Sequence, residues 1–270
     1  MRTVTSRDGT LIAFETTGTG PPVILVDGAL CYRDSGPARP LAAQLAGQFT
    51  VYTYDRRGRG NSGDTPPYAV EREVEDLAGL IAAAGGQVYL YGISSGAALA
   101  LAAADQLEGI RKLALYEAPF IVDDTHPPRP ADQLAQTEAL LAADRRADAI
   151  RTFLRSVGTP ALAVAVMRLL PVWKKLQAVA HTLPYDFRVL GDTGSGRPLP
   201  AGAWAGATMP TLAMDGGKSP TYLRHGMQAV ARVLPDARHL TLPGQTHLLK
   251  PEAVAPVLAE FFTGSRQTAR

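Results

Sequence analysis

Residues 88–107, VYLYGISSGAALALAAADQL, decide the fold. The first four letters are typical of a buried strand, and the alanine- and leucine-rich residues 97–107 are typical of a helix. Between them, Gly92-Ile93-Ser94-Ser95-Gly96 fits the pattern G-x-S-x-G. Glycine at both ends lets a strand and a helix pass close to each other around a sharp turn. The stretch therefore predicts a strand, a turn with Ser94 at its tip, and a helix.

The chain on either side repeats this alternation of strands and helices. Apolar runs typical of strands occupy residues 11–16, 23–26, 49–54, 112–116, 210–214 and 238–242. Helical spacing marks residues 70–84, which end at Gly85-Gly86, and residues 221–234 and 253–262. Strands that alternate with helices predict the α/β class, with a mostly parallel central sheet and helices on both faces.

Residues 118–208 do not follow the alternation. A proline-rich loop at 123–130 precedes a helical pattern over 131–182 that is broken at Pro160 and Pro171. Residues 183–209 are rich in glycine and proline, which predicts irregular structure. We therefore expect a core formed by residues 1–117 and 209–270, interrupted by a helical insert at 118–208.

The composition excludes several classes of protein. The 270 residues are 46% hydrophobic and 19% charged with a formal net charge of +2, and scattered arginines give nucleic-acid binding little support. One cysteine, Cys31, allows neither an internal disulfide nor a cysteine zinc cluster, and no metal is expected. The first residues lack the apolar region of about 7–15 residues that marks a signal peptide. No apolar run reaches about 18 residues, so we expect a cytoplasmic protein without a membrane partner.

A serine nucleophile needs a general base within hydrogen-bond reach. His247 closes the run LPGQTH, which lies between the last predicted strand and the last predicted helix. The other histidines lie in the predicted insert, within a helix or within a strand: His126, His181, His225 and His239. His247 is therefore the candidate base.

The motifs together resemble the α/β-hydrolase fold over essentially the whole length. They are VDGA at residues 26–29, DRRGRGNS at residues 55–62, GISSG and LPGQTH. The resemblance implies Ser94 as nucleophile, with oxyanion donors from the N–H of Ser95 and from Gly28 or Ala29. DRRGRGNS is similar to the D-x-R-G-x-G-x-S segment of that family, which is mainly a structural loop there. Asp27 stands where the family often has histidine.

The carboxylate that should orient the histidine is missing from its usual place. The family pattern G-x-x-D, aligned on Gly216, puts Ser219 at the position of the acid. Ser219 followed by proline would instead suit the start of the next helix.

Three other carboxylates remain candidates. Asp215 lies at a strand end, and Asp236 precedes the last strand. Glu117 follows the strand next to that of Ser94, so it should open onto the same edge of the sheet. Glu117 with Pro119, the double serine and the LPG run are also similar to the zearalenone lactonases, in which a glutamate in this place is the acid. The resemblance favours Glu117.

The insert lies where the family places a cap over the active site. Its apolar residues, with Trp173 as the first candidate for substrate contact, suit a small hydrophobic ester or lactone. The sequence thus predicts an ester or lactone hydrolase that uses Ser94, His247 and Glu117, without a cofactor. Other reactions of the same fold remain open, namely carbon–carbon hydrolysis, acyl transfer and cyclisation of a polyketide-like molecule. A non-catalytic binding protein also remains open.

Overall fold

The computed structural model describes residues 1–264. Its centre is one sheet of eight strands in the order β1-β2-β4-β3-β5-β6-β7-β8. The strands are β1 (Arg2–Thr5), β2 (Leu11–Thr17), β3 (Pro22–Val26), β4 (Thr50–Tyr54), β5 (Val88–Ile93), β6 (Ile110–Tyr116), β7 (Thr211–Gly216) and β8 (Ala237–Leu242). The pairs β1–β2 and β2–β4 are antiparallel, and the five other pairs are parallel. The predicted α/β class is confirmed.

Ten α-helices flank or follow the strands in residues 1–264. They are α1 (Ala38–Leu45), α2 (Val70–Ala83), α3 (Ser95–Gln106), α4 (Gln133–Ala142), α5 (Arg146–Ser156), α6 (Ala161–Met167), α7 (Pro171–Val179), α8 (Leu183–Leu190), α9 (Thr221–Val233) and α10 (Pro251–Thr263). None of these helices is long and apolar enough to span a bilayer.

The core has two layers, one on each face of the sheet. Buried residues of α2, α3 and α9 pack with one face of the strands, and buried residues of α1 and α10 pack with the other. The middle strands are covered on both sides, which explains their continuous apolar runs. The predicted helices on both faces are confirmed.

Five helices, α4 to α8, lie between β6 and β7, in the segment where the sequence predicts the insert. Pro160 and Pro171 mark the starts of α6 and α7 as expected. The expectation of irregular structure from residue 183 is wrong, because Leu183–Leu190 forms α8 with Pro184 in its first turn. Proline is tolerated there because the first N–H groups of a helix have no partner within the helix.

Candidate active site

Ser94 lies at the sharp turn between β5 and α3, in a strained backbone conformation. Its φ is 58° and its ψ −131°, a region that residues other than glycine rarely adopt. A Cβ on Gly92 would come within 2.4 Å of the Gly96 carbonyl oxygen. One on Gly96 would come within 2.3 Å of the carbonyl oxygen of Val26. Both glycines are therefore needed for the strand, the turn and the helix to approach so closely.

Glu117 and His247 are in direct contact. Oε2 of Glu117 lies 2.8 Å from Nδ1 of His247, and Oε1 accepts a 2.7 Å hydrogen bond from the N–H of Gly216. Glu117 is fully buried, whereas the side chain of His247 is 39% exposed. Contact through Nδ1 holds the imidazole ring and leaves Nε2 as the nitrogen that can exchange a proton.

The other two carboxylates considered from the sequence are placed differently. Asp215 is fully buried at the end of β7, and its Oδ2 is bonded to Nε2 of His239. Asp236 lies before β8, where its carbonyl oxygen accepts the N–H of Thr211 at the start of β7. Asp236 is thus at the amino end of these parallel strands, while His247 follows the carboxyl end of β8.

Ser219 does not cap the following helix. It is buried, and its N–H donates to the carbonyl oxygen of Gly216. Helix α9 begins at Thr221 with Pro220 as its N-cap residue, and no side chain caps it. The expectation that Ser219 starts this helix is therefore wrong. A buried hydroxyl occupies the position that aligns with the acid of the related pattern.

The loop after β3 lies directly against the Ser94 side chain. A Cβ on Gly28 would be 2.9 Å from Cβ of Ser94 and 3.3 Å from its Oγ. Within residues 1–264, the N–H groups of Gly28, Ala29 and Ser95 donate no hydrogen bond. Ser95 begins α3, whose first N–H groups have no partner within the helix. The turn and the loop thus place Gly28 and Ser95, whose N–H groups are free, next to the Ser94 side chain, and Ala29 follows Gly28 in the loop.

Asp27 and Cys31 flank this loop. Burial raises the pKa of Asp27 to about 7, although a hydrogen bond from the Ala38 N–H and the charges of Arg59 and Arg56 act in the opposite direction. Burial, followed by the nearby charge of Asp27, raises the pKa of the Cys31 thiol to about 12. The thiol is therefore protonated near neutrality, which fits a packing role and not a nucleophile.

The arginines of the loop after β4 are buried and held by carboxylates, which supports a structural reading of DRRGRGNS. Their guanidinium groups form bidentate or paired contacts of 2.7–2.9 Å, namely Arg56 with Glu73 and Asp186, Arg57 with Asp76 and Asp8, and Arg59 with Asp186. Asp186 belongs to α8, in the segment that the sequence did not predict to be helical. No motif in the sequence singles it out.

Trp173 lies in α7 and is buried. It belongs to an apolar cluster of the insert that includes Leu176 and Leu183, and also Leu30 from the loop after β3. Leu30 adopts a left-handed backbone with φ 60°. The insert therefore packs on the loop that contains Gly28 and Ala29. Contact of Trp173 with a substrate remains a prediction.

The described residues contain no group of three or more His, Cys, Asp or Glu side chains arranged to hold a metal ion.

Comparison with known proteins places the chain in a family. Two curated relatives match over short segments: an uncharacterized hydrolase of Bacillus subtilis (strain 168), and the pimeloyl-[acyl-carrier protein] methyl ester esterase of Stenotrophomonas maltophilia (strain K279a). The first is 35% identical over 97 residues, covering 34% of this chain and 35% of the relative. The second is 37% identical over 105 residues, covering 38% of each. The chain thus matches little more than a third of the length of either relative.

Solved structures match over nearly the whole chain. An alpha/beta hydrolase from Sphaerobacter thermophilus DSM 20745 is 53% identical, with a TM-score of 0.89 over 97% of this chain and 100% of that one. A thermophilic esterase from Thermogutta terrifontis is 25% identical, with a TM-score of 0.66 over 97% of both chains. The model of the alpha/beta hydrolase family matches residues 18–257. The chain therefore belongs to the alpha/beta hydrolase family.

Proposed function

We propose that the protein is a serine hydrolase that cleaves carboxylic esters, including their cyclic form, the lactones, through an acyl-enzyme on Ser94. The observation that carries the proposal is the 2.8 Å contact between Glu117 and His247. A buried carboxylate that holds one ring nitrogen of a half-exposed histidine is the arrangement needed by a general base. The strained turn at Ser94 supplies the nucleophile.

The reaction follows from these roles. His247 takes the Ser94 hydroxyl proton on Nε2 as the serine oxygen attacks the ester carbonyl, and Glu117 stabilises the imidazolium that forms. The tetrahedral intermediate collapses, the carbon–oxygen bond to the leaving group breaks, and His247 passes its proton to the leaving oxygen. Water, deprotonated by His247, then attacks the acyl-enzyme, and the acid product leaves Ser94. The only co-reactant is water.

The negative charge on the carbonyl oxygen needs donors that are already in place. The N–H of Ser95 and an N–H of Gly28 or Ala29 fill that role in the proposal. The closeness of Gly28 and Ser95 to Ser94, and the lack of partners for all three N–H groups within the described residues, support it. Preorganised donors of this kind are typically worth about 10²–10³ in kcat each.

Residues 118–208 act as a cap in this proposal. Helices α4 to α8 form an apolar cluster that packs on Leu30, next to the proposed donors. An apolar cap favours a small hydrophobic acyl or alcohol group over a charged one. Trp173 is the first candidate for contact with that group.

The test uses a fluorophosphonate probe and a panel of aryl esters and macrolactones. Wild-type protein should hydrolyse members of the panel and take up the probe at Ser94, and Ser94→Ala should lose both. Ser95→Ala is the control for labelling alone: it keeps the Ser94 hydroxyl, so the probe should still attach at Ser94 whatever the effect of the change on kcat. Labelling that survives Ser94→Ala would contradict the assignment. A product formed without uptake of water would indicate a transferase or cyclase on the same scaffold.

A further inference from the structure

Asp186 is a residue of the insert that reaches the nucleophile turn. Its Oδ1 accepts a 2.8 Å hydrogen bond from the Ser95 hydroxyl and a 2.7 Å bond from Nη1 of Arg56. Its Oδ2 accepts a 2.7 Å bond from Nη2 of Arg59. The residue is 1% exposed. A single carboxylate from α8 therefore holds the residue after Ser94 and two guanidinium groups of the loop after β4.

Arg59 continues the chain of contacts to the loop after β3. Its Nη1 donates a 2.7 Å hydrogen bond to the carbonyl oxygen of Gly28 and a 3.2 Å bond to that of Cys31. Its Nε donates to the hydroxyl of Thr182, just before α8. Arg59 is thus clamped between the insert and the loop that contains the proposed oxyanion donors.

Two donors hold the Gly28 carbonyl and so set the direction of the next N–H: Nη1 of Arg59 at 2.7 Å and the N–H of Cys31 at 3.3 Å. The Gly28–Ala29 peptide is trans, since the cis bond in the described chain is Pro66–Pro67. In a trans peptide the C=O and N–H point to opposite sides. With Arg59 on the oxygen side, the Ala29 N–H points away from the guanidinium. A charged donor on the oxygen also polarises the peptide and makes that N–H a stronger donor.

We propose that Asp186 is a positioning residue that fixes both halves of the oxyanion hole, Ser95 directly and the Ala29 N–H through Arg59. The inference rests on the proposed function, because it assigns roles within the same site. It assigns the Ala29 N–H as the second donor. It also makes a residue of the insert necessary for the chemistry of the core.

The charge of Asp186 is essential to this role. Among the described residues, Arg59 forms a salt bridge with one carboxylate, that of Asp186. Arg56 forms salt bridges with two carboxylates, those of Asp186 and Glu73. Loss of the negative charge leaves the buried Arg59 guanidinium without a counter-ion, and a buried unpaired charge forces local rearrangement. Because Arg59 holds the Gly28 carbonyl, that rearrangement moves the Ala29 N–H.

The first test compares Asp186→Asn with Asp76→Asn. Asp76 is a matched control: it is a buried carboxylate paired with an arginine of the same loop, Arg57, which also keeps a second partner in Asp8. Asp186→Asn should lower kcat for an aryl ester about 100-fold with KM nearly unchanged. Asp76→Asn should change kcat less than about threefold. Equal kcat losses in the two variants overturn the proposal.

An inhibitor pair separates positioning from general loosening. A trifluoromethyl ketone forms a tetrahedral adduct with the serine, and the oxygen of that adduct occupies the oxyanion hole. The corresponding alcohol, which has no carbonyl group, cannot form the adduct. Asp186→Asn should weaken the trifluoromethyl ketone about as much as it lowers kcat, while the alcohol binds as before. If Asp186→Asn does not fold, Ser95→Ala, which removes a single hydrogen bond to Asp186, should still lower kcat about tenfold. An unchanged kcat in Ser95→Ala contradicts the proposal.

A third measurement does not depend on the reaction. The amide proton resonance of Ala29 in a ¹⁵N-labelled sample should move in Asp186→Asn and stay in place in Asp76→Asn. A fixed Ala29 resonance in both variants overturns the positioning role. A wild-type protein that neither cleaves esters nor reacts with the fluorophosphonate contradicts the proposed function, while the Ala29 resonance still decides the inference.

Discussion

Oε2 of Glu117 and Nδ1 of His247 lie 2.8 Å apart, although the two residues are separated by 129 others in sequence. Glu117 directly follows β6 and has a left-handed backbone, φ 46°. The N–H of Gly216, at the end of β7, holds its second carboxylate oxygen. The carboxylate is thus aimed past β7 toward the loop after β8. A glutamate reaches the histidine from β6, and β7 contributes a backbone donor in place of a carboxylate.

Glu117→Gln should lower kcat about 10³- to 10⁴-fold. The amide keeps an oxygen for the Gly216 N–H, but its NH₂ group cannot accept the Nδ1 proton, so the imidazole adopts the wrong tautomer. Asp215→Asn is the matched control, because Asp215 is equally buried and is bonded to a different histidine, His239. Steady-state rates on one aryl ester measure both. A larger loss of kcat in Asp215→Asn than in Glu117→Gln would indicate that the acid is Asp215 in β7 and not Glu117.

Gly28→Ala should lower kcat about 100-fold while the protein stays folded. The new Cβ would lie 2.9 Å from Cβ of Ser94, closer than such contacts allow, so the serine must move. Gly47→Ala is a suitable control, since nothing lies within 4 Å of its Cβ position. Active-site titration with the fluorophosphonate and thermal unfolding should be run on both. A fully active Gly28→Ala protein would show that the loop is not in contact with the nucleophile.

Asp27→Asn should stabilise the protein above pH 7. Burial raises the pKa of Asp27 to about 7, so the folded state keeps the proton between about pH 4 and 7 while the unfolded state loses it. The wild-type free energy of unfolding therefore decreases across this interval by about 1.4 kcal/mol for each unit of raised pKa. Asparagine abolishes that decrease. Denaturant titrations of both proteins at pH 5 and pH 8 give the difference, and parallel changes with pH would refute the prediction.

Trp173→Ala should reduce stability and raise KM. Removal of a buried tryptophan from the apolar cluster of the insert should cost about 3–5 kcal/mol in the free energy of unfolding. Leu176→Ala perturbs the same cluster one turn further along α7 and serves as the control. If Trp173 contacts the substrate, its variant should show a KM for an apolar ester about tenfold above that of the control. Equal KM values would assign Trp173 to packing alone.

The sequence predicts the central elements well, because periodicity and the G-x-S-x-G turn are local features. The strand ending at Ile93, the helix beginning at Ser95 and the alternation around them match within a few residues. Helix α8 was missed because residues 183–209, taken together, are rich in glycine and proline, although Pro184 lies in a first helical turn where proline is tolerated. Strand β1 and helix α1 are also absent from the sequence prediction.

The candidate site can be predicted only in part from local features of the sequence. Glu117 became a candidate acid from strand order, which brings the ends of β5 and β6 to one edge of the sheet. The choice among them depends on a distance between residues 117 and 247, and no periodicity encodes that distance. The proposed role of Asp186 is still harder to predict from the sequence. It depends on a helix of the insert folding back onto a loop 130 residues earlier, through Arg56.

The carboxylate that joins α8 to the turn after Ser94 has a consequence for protein engineering. One way to change the substrate preference of a hydrolase with this architecture is to replace its insert with the insert of a relative. Here such a replacement would remove Asp186, the counter-ion of the buried Arg59 guanidinium. It would thereby free the Gly28–Ala29 peptide, whose carbonyl oxygen Arg59 holds. On the positioning role that we propose for Asp186, a functional chimera must retain an acidic side chain facing the hydroxyl of Ser95, whatever the rest of the transplanted segment contains.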